Sequence, residues 1–168
     1  MKPSRDQTAR EQILNVRALE FATTMRVLKA YPEAKLEMRP AEKSRSAREL
    51  IGTFIAEEYV CGAAIRGEPI GGHSAQSLPE NLTDLLEVFN RIHNEVQHEI
   101  AQAADEGMDR ETDFYGHQLT VREVMWAELH DQIHHRGQFS VYLRLAGARV
   151  PSIYGPTADE PVSVQGQS

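Results

Sequence analysis

The chain has 168 residues, 40% of them hydrophobic and 26% charged, which suits one globular domain and leaves no room for a second. Its formal charge is −7, from 18 Lys and Arg against 25 Asp and Glu, so the phosphate-neutralising surface of a nucleic-acid binder is not evident. The lone cysteine, Cys61, excludes an internal disulfide and multi-cysteine metal sites. With no run of about 18 apolar residues and no signal-peptide pattern at the start, the expectation is a soluble cytoplasmic protein whose partners include neither nucleic acid nor membrane.

A Ser or Thr followed three residues later by Glu occurs four times just before an apolar-periodic stretch: Thr8 with Glu11, Ser46 with Glu49, Ser77 with Glu80 and Thr120 with Glu123. This is the capping-box pattern, in which hydroxyl and carboxylate each satisfy a backbone donor that a helix start leaves orphaned. The spacing therefore predicts helices over about 8–31, 46–66, 78–105 and 120–146, closed by Pro32, Gly67, Gly107 and Gly147 in turn. Helices of roughly 27 residues, as the third and fourth would be, reach about 40 Å, the length of a bundle helix. The connections carry no two-residue hairpin signal, so no sheet is expected, and Tyr115-Gly116-His117 reads at most as a short extended piece. The apolar tail 148–161 is expected to pack along the bundle and 162–168 to fray. The whole chain reads as one all-α domain.

On the fourth helix Val121, Val124, Met125, Phe139, Tyr142, Leu143 and Ala146 share one face, and Glu128, Asp131 and His135 lie on it or at its border. His130 and His134, whose i, i+4 spacing imitates a metal pair, project to the opposite side. Gly137 interrupts this helix, and close helix packing would account for it. On the second helix Glu57 and Glu58 fall within an apolar face, with Thr53 one turn before Glu57; on the third, His93 sits in the middle of a Leu, Phe, Ile and Val stripe. Buried carboxylates need a proton, a cationic partner or a metal. Glu57, Asp131 and His135 are therefore candidate metal ligands, with Thr53, Glu128 and His93 as supporting or alternative groups. The competing reading is a closed carboxylate–histidine cluster with no ion. No P-loop or Rossmann glycine pattern occurs, and His98-Glu99-Ile100-Ala101-Gln102 lacks the second histidine of a zincin helix.

The run His134-His135-Arg136-Gly137-Gln138-Phe139-Ser140-Val141-Tyr142-Leu143-Arg144-Leu145-Ala146-Gly147, followed by Val150-Pro151-Ser152-Ile153-Tyr154-Gly155-Pro156, resembles the DinB family of the DinB/YfiT-like metalloenzyme group, which is distinct from the DNA polymerase that shares the name. The resemblance covers most of the chain. It implies an up-up-down-down four-helix bundle, often a homodimer, holding zinc or nickel on three histidines and acting as a hydrolase or transferase, in some members on low-molecular-weight thiols. The histidine before Arg-Gly-Gln is His135. The family's ligand four residues earlier falls on Asp131, and its first ligand on about Thr53, so the three-histidine set is replaced here. What remains is a one-histidine, carboxylate-rich centre from Glu57, Asp131 and His135, or a metal-free binding or interaction module that keeps only the fold.

Overall fold

The computed structural model describes residues 7–71 and 77–161. Four helices dominate it: α1 (Ala9–Lys29), α2 (Ala47–Arg66), α3 (Leu82–Gln102) and α4 (Val121–Leu145). Thr8, Ser46 and Thr120 close complete capping boxes with Glu11, Glu49 and Glu123. Gly67 ends α2 in the left-handed region at φ 75°, and Gly147 follows α4 at φ 72°.

The third start departs from the pattern. α3 begins at Leu82, where Asn81 accepts from the Asp84 backbone N–H at 2.8 Å, and Ser77 and Glu80 lie outside it. Pro79 is the physical reason: it disfavours helical backbone at Leu78, the residue that would have been the first of the helix. Leu78 instead lies against Gly52, where even a Cβ would come within 2.4 Å of its methyl. The other end of α3 also stops early, at Gln102, and a short 3-10 turn over Asp105–Asp109 follows.

A second departure is a small sheet. β1 (Glu111–Phe114) and β2 (His117–Thr120) pair antiparallel, with Phe114 opposite His117. Tyr115 and Gly116 turn the chain at φ 52° and 88°, the doubly left-handed turn that matches strand twist. Tyrosine at the first turn position hides this hairpin from sequence, because Asn, Asp or Gly ordinarily stands there. The Asp113 carboxylate steadies the turn by accepting from the Gly116 N–H at 3.1 Å.

Each helix packs on two others, α1 and α2 both lying against α3 and α4, so the order around the bundle is α1, α4, α2, α3. Cross-links at the ends fix the directions. Arg10 at the start of α1 reaches the Ala101 carbonyl at the end of α3, and Arg66 at the end of α2 pairs with Glu99 at the end of α3. Tyr142 near the end of α4 donates to the Arg45 carbonyl beside the start of α2. α2 and α3 are therefore parallel, α1 and α4 run opposite to both, and the four-helix bundle is up-down-down-up where up-up-down-down was expected. Because α2 and α3 are parallel, the connection between them must travel the length of the bundle.

The core is the one the periodicity indicates: Leu50, Phe54 and Ala64 of α2, Leu85, Phe89, Ile92 and Ile100 of α3, and Val121, Val124, Met125, Phe139 and Leu143 of α4 are buried. The tail lies along the bundle, with Val150 buried, Arg26 donating to the Ser152 carbonyl and Tyr154 donating to Glu20 at 2.7 Å. The stretch 162–168 lies outside the described residues. Gly137 is exposed with open space where a Cβ would stand, so helix packing does not explain it.

Candidate metal centre

Two polar groups sit between α2 and its neighbours, seeded by consecutive glutamates. Glu58 is fully buried and saturated: Arg17 Nη2 donates to Oε2 at 2.6 Å, Gln132 Nε2 to Oε1 at 3.0 Å, and His93 Nδ1 lies 3.0 Å from Oε1. His93 is further held by stacking on Phe21, ring centroids 3.7 Å apart. Burial alone would raise the Glu58 pKa, but Arg17, His93 and Gln132 overcome it and hold the carboxylate down at about 2. His93 is therefore part of a closed cluster and stands away from the candidate ligands. Arg17 also reaches Cys61 Sγ at 3.3 Å, while burial pushes that thiol up to about 12, so it is no nucleophile near neutrality.

Glu57 is the opposite case. It is buried, yet neither carboxyl oxygen has a hydrogen-bond partner among the described residues. Burial, followed by the charges of Asp131 and Glu128, pushes its pKa up to about 10. Facing it from α4, His135 Nε2 lies 3.6 Å from Glu57 Oε1 and 3.5 Å from Asp131 Oδ2. One ligand atom from each of the three side chains falls within 4.8 Å of the other two. Glu57 comes from the middle of α2, and Asp131 and His135 from successive turns of α4, whose i, i+4 spacing puts them on one face.

These separations are too long for strong hydrogen bonds. They suit donors placed about an ion, because bonds of ~2.0–2.2 Å in a tetrahedral arrangement put neighbouring donor atoms ~3.4 Å apart. The tautomer also fits. His135 Nδ1 sits 3.2 Å from Gln138 Oε1, an acceptor for a proton on Nδ1, and that tautomer turns the Nε2 lone pair to the carboxylates, as ligation requires. Gln138 thus does for His135 what an outer-shell carbonyl does for a ligating histidine. An orphaned buried carboxylate, a half-exposed one and an imidazole with an acceptor beside its Nδ1 together form a donor set that fits a divalent cation.

Thr53 stays out of the set, its hydroxyl donating to the Glu49 carbonyl of its own helix at 3.2 Å. Glu128, three residues before Asp131, is buried and lines a shallow groove beside it; burial first and Asp131 second push its pKa up to about 7. His130, His134, His98 and His117 are all exposed. Sequence reasoning missed Arg17, Gln132 and Arg136. Arg136 is 1% exposed, donating to the Glu20 carbonyl and carboxylate, to Thr24 and to Tyr154. The available signal was that all three occupy helix positions facing a buried stripe.

The DinB family model matches residues 6–165. The chain belongs to the DinB family. Among curated proteins it is similar to two from Bacillus subtilis (strain 168), both described as uncharacterized: YrdA, 37% identical over 59 residues, about a third of each chain, and YjoA, 28% identical over 112 residues, 65% of this chain and 72% of that one. Its fold is that of a DinB-like protein from Bacillus cereus ATCC 10987, with TM-score 0.76 and 19% identity over 86% of this chain and 97% of the other. The crystal structure of YjoA, a DinB-like protein, gives TM-score 0.70 and 22% identity over 84% and 96%. Among the described residues no helix is long and apolar enough to cross a membrane.

Proposed function

We propose that this DinB-family chain binds one divalent cation through Glu57, Asp131 and His135 and uses it in a hydrolase or transferase reaction on a small molecule. The observation that carries the reading is Glu57, a buried carboxylate with no hydrogen-bond partner among the described residues, with His135 Nε2 3.6 Å from it and 3.5 Å from the Asp131 carboxylate. Leaving such a group unsatisfied costs about 1–3 kcal/mol, more when it is charged, and a cation removes that cost.

One histidine and two carboxylates make a harder donor set than three histidines. Zinc remains well accommodated and manganese or iron(II) become competitive, while nickel is the less favoured ion. Bound there, a divalent cation supplies Lewis acidity, polarising a substrate oxygen or sulfur and stabilising negative charge on it. The chain's own residues do the rest. Gln138 holds the His135 ring in the ligating tautomer. The Gln132–Glu58 hydrogen bond ties α4 to α2 beside Glu57. Burial of Glu57 excludes water from one side of the centre, and Asp131, whose side chain is 54% exposed, marks the side open to substrate. A low-molecular-weight thiol as co-substrate and a homodimeric state belong to the same reading.

The test is calorimetric titration of zinc and manganese into protein purified without a metal-affinity tag and stripped with chelator. One ion per chain is expected in the wild type, lost in Glu57→Gln and His135→Ala. A folded wild type that takes up no ion leaves a metal-free binding module as the reading.

A further inference from the structure

Between the hairpin and α4 lies a groove of about 420 Å3 lined by Phe114, Ala127, Glu128, His130 and Asp131. Glu128 is 7% exposed, and no described residue hydrogen-bonds or ion-pairs with its carboxyl group. A side chain so largely buried, lining a groove and without a partner among the described residues, leaves its carboxylate to a donor from outside. Arg17 is the cation that most affects it, but that guanidinium is already spent on Glu58, Cys61 and Gln97.

The lining decides the class of molecule. Its polar groups are two carboxylates and an exposed histidine, and no lysine or arginine contributes, so an anion is repelled. A protonated amine supplies the charge and the donor hydrogens that Glu128 lacks. Phe114 and Ala127 offer the apolar wall on which the rest of such a molecule rests, and Phe114 is held there by the register of the hairpin opposite His117. If Asp131 is committed to a cation, Glu128 remains available, since it is not among the three side chains that converge.

We propose that this groove is an amine subsite, in which Glu128 accepts the hydrogens of a primary ammonium group while an apolar body lies on Phe114 and Ala127. As an identification of substrate class it rests on the metal reading above, whereas binding of the amine itself does not. The hairpin, absent from a bare bundle, is then the element that makes the subsite, and Glu128 is a binding residue distinct from the ion's ligands.

The probe is 2-phenylethylamine, titrated by calorimetry at pH 7.5 into zinc-loaded and zinc-free protein, with 3-phenylpropanoate as the anion of similar shape. The amine is expected to bind the wild type, at least tenfold more weakly to Glu128→Gln and measurably more weakly to Phe114→Ala, with no binding of the anion. Glu128→Gln is expected to keep its zinc, measured separately, and its helical circular dichroism. Equal amine affinity in wild type and Glu128→Gln, preference for the anion, or no amine binding at millimolar concentration overturns the subsite. Loss of zinc from Glu128→Gln also overturns it, making Glu128 a ligand of the ion. Amine binding that depends on Glu128 in a protein that takes up no zinc supports the subsite and removes only the metal reading.

Discussion

Glu57 and Glu58 are neighbours on α2, both buried and both facing α4, and they end in opposite states. Glu58 receives Arg17, Gln132 and His93 and is held ionised; Glu57 receives no hydrogen bond from any described residue, and its carboxyl is driven toward the neutral form. One residue of helix rotation separates a finished interaction from an unfinished one. The fold is able to satisfy a buried carboxylate at this depth and does so at Glu58. That it leaves the adjacent one open, with His135 Nε2 3.6 Å away, is the contrast on which the proposed cation centre rests.

The comparison breaks most forcibly from the Glu58 side. Glu58→Leu strands the Arg17 guanidinium, 2% exposed, without its counter-charge, and about 3–5 kcal/mol of stability is expected to go, read from the denaturant midpoint. The double variant Arg17→Met with Glu58→Leu should recover a large part of it. Glu57→Gln is expected to leave the ion-free protein no less stable, because no hydrogen bond is lost, and more stable near neutrality, because the amide stays uncharged in the buried position without taking up a proton, while abolishing ion uptake. In the wild type a saturating cation should itself stabilise, by about 2.7 kcal/mol at a concentration 100 times its dissociation constant, seen as a rise in Tm.

The pH dependence sharpens the contrast, since the two carboxyls contribute with opposite sign. Glu58 is depressed to about 2, so its contribution is present above the ordinary carboxylate range and fades as pH falls through that range toward 2. Glu57 and Glu128 are raised to about 10 and about 7, so the folded ion-free protein binds more protons than the unfolded chain between the ordinary value and these; their contribution fades as pH rises. Ion-free wild type should therefore lose stability from pH 5 to 8, and Glu57→Gln should flatten that slope, as thermal unfolding across a buffer series would show. The smallest effect is expected at Gln138. Replacing it with Ala frees the His135 tautomer and should weaken ion binding by about 10–100-fold with little change in Tm.

Capping chemistry and apolar periodicity made the bundle legible in sequence, because three of the boxes and every core stripe are local patterns read within one helix. Helix directions were not legible, since they are set by contacts such as Arg66 with Glu99 between distant segments. The hairpin escaped because Tyr115 adopts a left-handed conformation that its residue type disfavours. At the site, the inward angles of Glu57, Asp131 and His135 could be computed from helix geometry, and the structure brings the three together. Periodicity placed His93 correctly in the core but could not say that Glu58, rather than the candidate ligands, would claim it. Thr53 was brought in by family position, and its hydroxyl turns to its own helix instead.

The most direct test of the central claim is the stoichiometry of zinc on chelator-stripped, tag-free protein, by calorimetry with elemental analysis of the same sample, for the wild type and Glu57→Gln side by side. The account predicts one zinc per chain in the wild type and none above background in a variant that unfolds at no lower a denaturant concentration than the ion-free wild type. Zinc binding that is absent from the folded wild type, or undiminished in Glu57→Gln, would contradict it.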